Sequence, residues 1–494
     1  MAAGQKSDSQ TAGGQRLSRE LNIWETIGIS VALMAPSMAA NINPQGTVGS
    51  VGRAVPLAFA LATVGVLLVS WTFVRLCQRF HHSGSVYGFV GATLGPKAGV
   101  VAGWGLLGTY IFYGIVTSMA AGIFGSAFLD AVGIWPSPPD WSGFLIGGLA
   151  LLGVLALTIS PVRRGTRVLL TVEGLTVLLI LLVAFVVLVK LAGGSGGKHL
   201  TLTPFSVAPG TDSSALFLGV VFGFLSFAGF EAAATLGEEA RNPRRDIPRA
   251  ILGTAIFGGV YFVFVTWIEV QGFGADDAGI AAFAKSGSLM GDLGTTYVGA
   301  WVGDLISLGA AVSAFGCALA CAVSASRLMY ALSRDGLLPA RLQQVSTSRK
   351  TPTVAAVTVV ATMYVFITVW ALALNAKPFD EFLYSGTIGT LILLVAYVLA
   401  TIGAIRLVFF SGDDRIARWE LVIPALALVV LGYTIFRNVW PYPTGAAAWL
   451  PVVCGVWLLL AVGLVLIKPE LARRAGELLT ADEGLSGAEL KESA

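Results

Sequence analysis

Uncharged apolar runs of roughly twenty residues recur along the whole of this 494-residue chain. Few sequence features limit a fold as sharply. A helix rises 1.5 Å per residue, so such a run spans the ~30 Å hydrocarbon layer of a bilayer. Composition agrees: 55% of residues are hydrophobic and 12% charged, against about 25% charged in an average soluble domain. A disordered chain, a coiled coil and a nucleic-acid binder are excluded, and a soluble enzyme is disfavoured. The chain reads as an all-α polytopic membrane protein.

Twelve spans are expected, at 23–44, 55–76, 98–129, 142–160, 168–190, 215–236, 250–272, 297–328, 354–375, 382–408, 420–437 and 447–467. Lys and Arg distribution sets orientation. The face holding both tails and five alternate loops carries 25 of them, and the other face carries six: Arg53, Lys190, Lys198, Lys285, Lys377 and Arg437. That split places both termini in the cytoplasm and the chain in the cytoplasmic membrane. It also explains the basic stretch Arg241 to Arg249, including Arg244 and Arg245, as a positive-inside loop before a proline-started helix. Residues 1–22 form a polar cytoplasmic tail without a signal peptide's apolar core. Residues 468–494, alternating acidic and apolar, form a second tail, a short surface helix or disordered. Cys77, Cys317, Cys321 and Cys454 lie in or beside apolar runs, so no disulfide framework is expected. Cys317 and Cys321, one turn apart, read as small packing residues.

Ionisable residues inside spans are functional candidates by default. Glu25 opens the first span and reads as a helix cap. Glu269 and Asp304 sit towards outer ends, where an interfacial position suits them. Glu173 and Glu231 lie deeper and are candidates for proton handling or substrate pairing. Each has a structural alternative. Glu173 could cap a neighbouring helix or pair with Arg163, Arg164 or Arg167. Glu231 could bind amides freed by a broken helix.

Two spans contain helix-breaking chemistry at mid-depth. In the first, Pro36 removes an N–H and clashes with the preceding turn, while Ser37 and Asn41 can satisfy freed groups. In the sixth, Gly223, Ser226 and Gly229 weaken the run before Glu231. Irregular backbone at membrane depth is tolerated where it lines a cavity or is buried in protein. Breaks five spans apart are what two inverted five-helix repeats require.

At these residues the chain resembles the amino acid–polyamine–organocation (APC) superfamily. Gly229 to Ala250, with Glu238, Glu239, Asn242, Pro243 and Pro248, is similar to that family's sixth span and following loop. Ala325 to Pro339, with Arg327, Tyr330, Arg334, Asp335 and Gly336, is similar to its eighth. Ser83-Gly84-Ser85, Tyr87, Gly95-Pro96 and Gly103-Trp104 match more weakly, since His81 or His82 replaces a usual proline. The resemblance implies a LeuT-type 5+5 inverted repeat: residues 23–410 as a ten-helix core and 411–467 as two added helices. It implies alternating access around a site at the two breaks. Carried over by position, Ala35, Pro36, Ser37, Met38 and Ala39 would meet the substrate head group. Ser226, Phe227, Ala228 and Gly229 would meet an amine, and Tyr110, Tyr113 and Phe315 would form the walls. Leu225 stands where some relatives for guanidino or diamine substrates carry a gating tryptophan. The fifth span shows Glu173 in a stretch where some proton-coupled relatives have lysine.

These readings converge on a secondary active transporter for a small amino acid or related amine, coupled to a proton or sodium ion or working by exchange. A polyamine or monoamine importer is the alternative. A channel or non-transporting sensor is remote, because no span carries rings of charge. No HExxH, GxSxG or Walker motif is present, and His81, His82 and His199 sit in loops, so no enzyme, metal site or cofactor is expected. Beyond substrate, coupling ion and lipid bilayer, a monomer or homodimer is expected, with no nucleic acid.

Overall fold

The structure, a computed structural model, describes residues 22–80, 85–160, 165–194, 199–208, 211–236, 242–346, 351–410 and 417–482. His81, His82, Ser83, Gly84, Arg163, Arg164, Lys198, Glu238, Glu239 and Arg241 lie outside them, as do the side chains of Arg167 and Arg244 and residues 1–21 and 483–494 of the two tails. The described residues are helical without strands. Ten of their helical stretches are long and apolar enough to cross a membrane. One of these, Ile23–Arg79, runs through three helices, while Ser142–Thr158 is apolar but shorter, at 17 residues.

The first span is split. α1 (Ile23–Leu33) starts at a capping box: the Asn22 side chain accepts from the Trp24 and Glu25 amides, and Glu25 accepts from the Asn22 amide, which satisfies donors a helix start leaves unpaired. Glu25 is thus the cap expected. α2 (Pro36–Val51) begins at Pro36, and Ala35 between the two takes a left-handed conformation, φ 47°. α3 (Val55–Arg79) follows, then a short α4 (Val86–Leu94), α5 (Pro96–Ala131), α6 (Ser142–Thr158) and α7 (Gly165–Ala192). The second half mirrors this order. α8 (Leu216–Phe227) stops at Ala228, and a 3-10 turn resumes at Ala232–Leu236. α9 (Pro243–Phe273), α10 (Asp277–Lys285), α11 (Leu289–Tyr297), α12 (Ala300–Arg334), α13 (Thr353–Ala373) and α14 (Pro378–Phe409) complete it. α15 (Val422–Val439), α16 (Trp449–Ile467) and α17 (Pro469–Asp482) close the described chain.

Packing follows the inverted-repeat relation. α5 lies along α12 and α3 along α9, and each pair consists of spans five apart in sequence. α5 crosses α6 closely because both are glycine-lined there. A Cβ on Gly122 would sit 2.1 Å from the Gly143 carbonyl oxygen, and one on Gly147 would sit 2.7 Å from that of Ser118. Small residues four apart allow such backbone approach in membrane helices. The outer rim is apolar: on α7, Leu175, Leu178, Leu182 and Phe185 form an exposed stripe at helical spacing, as a lipid-facing side requires. α16 joins α5 through two reciprocal bonds. The Trp104 indole donates to the Trp457 carbonyl (2.9 Å) and the Trp457 indole to that of Trp104 (3.0 Å).

Three short helices were not anticipated. α4, α10 and α11 have nine residues each, too short for a spanning run to reveal. Asp276 caps α10 by accepting from the Gly279 amide. The eighth span begins at Ala300 rather than 297, because α11 ends at Tyr297 and Gly299 separates the two. In the C-terminal tail, α17 is a docked helix that buries Ala472 and Ala475.

Candidate functional site

The breaks of the first and sixth spans arise from different backbone chemistry. At the first, Pro36 has no N–H to continue α1, and its fixed φ suits the first position of a new helix. At the second, Gly229 takes φ +100°, a conformation that favours glycine. The Ala232 amide then bonds the Gly229 carbonyl (3.0 Å) and the Ala234 amide that of Glu231 (2.8 Å), which restarts the chain as a tighter helix.

The polar groups of the first break have partners within the protein. The Ser37 amide donates to the Glu173 carboxylate at 2.9 Å and the Ser37 hydroxyl to the Glu173 carbonyl at 3.5 Å. The Met38 amide donates to the Ser313 hydroxyl at 3.4 Å. The Tyr261 hydroxyl donates to the Pro36 carbonyl at 3.3 Å. Glu173 therefore sits at the N-terminus of α2, where an anion gains from the freed amides and the helix dipole.

At the second break the balance differs. Glu231 faces a cavity of about 210 Å³, and its Oε2 is buried without a hydrogen-bond partner. The Tyr397 hydroxyl lies beside Glu231. Met38, Tyr110, Tyr113, Leu225, Ala228 and Gly229 line the same cavity. A volume below the ~300 Å³ of an ordinary drug-sized site suits a small metabolite. Among the described lining residues, Glu231 is the one carboxylate.

The other expected site residues lie behind this wall. Ala35 and Ala39 are buried in the turn, where the Ala39 amide bonds the Ala35 carbonyl. Pro36 and Ser37 face α9 and α7 through the bonds above. The Ser226 hydroxyl accepts from the Asn43 amide group (2.7 Å) and donates to the Phe222 carbonyl (2.9 Å). Phe227 packs edge-on against Phe262. Phe315 packs on α6, 3.4 Å from where Gly153 would carry a Cβ. The α12 side of the cavity is formed instead by Cys317, Ala320, Cys321 and Ser324, so the two cysteines, both free thiols, front the cavity. Their spacing is a helix face, but an apolar helix buried on several sides does not show which face fronts a cavity.

The cavity reaches from Leu225 and Tyr113 towards Ser85, Val86 and Ser324, on the side where α3 and α12 end. The opposite side is packed shut. The Asn41 Oδ1 accepts from the Ser288 hydroxyl (2.9 Å) and from the Met290 (2.9 Å) and Gly291 (3.3 Å) amides at the start of α11. Gln45 donates to the Phe283 (3.0 Å) and Ser286 (2.7 Å) carbonyls at the end of α10. Phe222 and Phe382 stack beneath, with ring centres 6.4 Å apart.

Comparison with known proteins gives this architecture its place. Residues 21–465 match a family model described as amino acid permease. The branched-chain amino acid permease BcaP of Bacillus subtilis is 26% identical over 460 residues, covering 89% of this chain and 92% of that protein. The low-affinity putrescine importer PlaP of Escherichia coli K12 is 28% identical over 293 residues, 58% of this chain and 60% of PlaP. A methylthioribose transporter of Bacillus subtilis is 24% identical over 436 residues, 85% of this chain and 86% of the relative. With a match along nearly the whole chain and helices interrupted at the first and sixth spans, this protein belongs to the amino acid permease family of the APC superfamily.

Proposed function

We propose that the chain is a secondary active transporter of a small amino acid or a related monoamine, working by alternating access at the two breaks. The observation that carries this reading is the Glu231 carboxylate on the wall of a cavity of about 210 Å³, where it is the one carboxylate among the described lining residues. An ammonium group placed there gains a charge-assisted bond. Leu106, Val116, Leu225 and Leu393 offer an apolar wall for a side chain. Relatives named for branched-chain amino acids and for putrescine bracket this chemistry. A single lining carboxylate favours one positive charge over the two of a diamine. The polyamine reading is kept because the Ser37 and Met38 amides, which could hold a substrate carboxylate, are engaged by Glu173 and Ser313.

In this reading the chain crosses the cytoplasmic membrane twelve times, with ten helices in residues 23–410 and two in 411–467. Both tails are cytoplasmic, following the Lys and Arg distribution. In this reading the conformation is inward-facing: closed where α2 grips α10 and α11, hollow towards the tail-bearing side.

The test is a thermal-shift screen of the purified chain against L-leucine, L-alanine, monoamines and putrescine. A ligand of the folded form raises stability by RT ln(1 + [L]/Kd). Stabilisation by zwitterionic amino acids supports the leading reading. Stabilisation by amines alone supports the alternative, and none by either class removes both.

A further inference from the structure

Glu269 stands just before the last turn of α9, where the sequence suggests an interfacial acid. The structure instead places it inside the protein, with no exposed surface and with neither carboxylate oxygen hydrogen-bonded. Three residues on, Gly272 packs against Leu293 of α11 and Val187 of α7, beneath the layer that closes the outer half.

The ionisable groups around Glu269 are committed elsewhere. On α9 itself, Tyr261 lies two turns back, and its hydroxyl donates a hydrogen bond to the Pro36 carbonyl (3.3 Å). On α11, Tyr297 donates to the Gly272 carbonyl (3.0 Å) and Asp292 accepts from Ser286 (2.6 Å). On α7, Lys190 donates to the Tyr297 carbonyl (2.5 Å). On α10, Asp276 caps its own helix, and Asp277 and Lys285 belong to the first and last turns. On the α3 side, Gly259 meets Thr63 and Phe262 meets Phe59. Arg53, in the turn before α3, makes no ion pair with Glu269, whose two carboxylate oxygens are both without a partner. α1 contributes Glu25 at its distant start, and α2 contributes the neutral Asn41 and Gln45.

A charged carboxylate sealed from water with no donor and no counter-charge is far more costly than the neutral acid. We propose that Glu269 is a proton-binding site filled from the outer side, and that the outer half closes around α9 only when the site is filled. The proton comes from water as the carboxylate is covered and returns to water when the outer half reopens. This rests on the alternating-access reading for its role in transport, but the site itself does not require that reading.

Two measurements on the full chain separate these. In the first, apparent Tm of the purified, substrate-free protein is followed from about pH 6 to about pH 9. The unfolded chain has released this proton well below that range, since a free glutamate titrates near ~4.3. The folded form still holds it, so stability falls as pH rises. Glu269→Gln, which mimics the neutral acid, should fold and show a flatter slope. Glu269→Met, of similar size and unable to titrate, should do the same. Asp292, also held above the usual carboxylate range by burial with the Ser286 hydroxyl opposing, contributes its own slope, so Asp292→Asn is the comparator. A Glu269→Gln slope equal to that of the wild type overturns the proposal.

In the second, proteoliposomes exchange labelled L-leucine or putrescine at varied external pH. Wild-type exchange should fall by up to about tenfold per pH unit on the alkaline side, and Glu269→Gln should exchange independently of pH. A mutant that retains the wild-type profile overturns the gating role. Vesicles that exchange neither compound, alongside a flattened Tm slope, overturn the transport reading and leave the proton site standing.

Discussion

The two interrupted helices break at matching positions in the two halves, yet their polar groups end in opposite states. At Ala35 to Met38, two amides and a carbonyl are bonded by Glu173, Ser313 and Tyr261. At Ala228 to Glu231, the carboxylate lines the cavity and one of its oxygens, Oε2, is buried without a partner. An unmade bond to a buried charged group is worth more to a ligand than one that must first displace an internal partner. On the proposed transporter reading, the second break receives the substrate's cationic group, while the first holds an internal anion, Glu173, at the start of α2. The largest effect is expected from Glu231→Gln. A charge-assisted hydrogen bond is worth about 1.5–3 kcal/mol, so affinity for an ammonium ligand should fall roughly ten- to a hundredfold in a binding titration. Unchanged affinity would remove Glu231 from the site.

The first break predicts a change of selectivity rather than a loss. Glu173→Ala frees the Ser37 amide and removes an anion from the start of α2. Stability should fall by about 1 kcal/mol, within the usual range for a lost helix cap. Removing the Glu173 side chain also opens space behind the cavity wall, so zwitterionic ligands that reach the Ser37 amide should gain over amines of the same side chain. Measured Kd ratios of an amino acid to its decarboxylated amine should rise. A ratio that does not move would show that the ligand carboxylate binds elsewhere.

A backbone test of intermediate size concerns Gly229. At φ +100°, Gly229→Ala carries a strain of order 1–3 kcal/mol, and the added Cβ meets the Leu33 backbone at 3.4 Å. Tm should drop, and binding should weaken because the Gly229 position shapes the cavity. Equal Tm for mutant and wild type would mean that the second break relaxes freely.

How much of this the sequence carried depends on the kind of signal. Pro36 and Gly229 were legible because each changes the backbone by itself. The long spans were legible from hydropathy, since lipid tolerates few alternatives. Glu173 and Glu231 were singled out by depth, but their different fates depend on which amides lie across the interface, 136 residues away in the case of Ser37. Cys317 and Cys321 read as packing because small residues on a buried helix look alike whether they meet another helix or a cavity. α10 and α11 stayed hidden because a nine-residue helix outside the membrane leaves no spanning run, and its tie to Asn41 is a tertiary contact.

The smallest expected effect on binding tests whether the break at the sixth span is uniform along its length. Ser226 lies three residues before Gly229 but faces α2 rather than the cavity, accepting from Asn43. Ser226→Ala leaves the Asn43 donor unpaired, and Asn43 Oδ1 is already without a partner. An unsatisfied buried donor costs about 1–3 kcal/mol, so Tm should fall while ligand Kd stays within about twofold. The contrast with Glu231→Gln is the informative part. If Ser226→Ala weakens binding as strongly as Glu231→Gln, the α8 side of the break contacts the ligand. Recognition would then be spread along the sixth span rather than concentrated at the carboxylate.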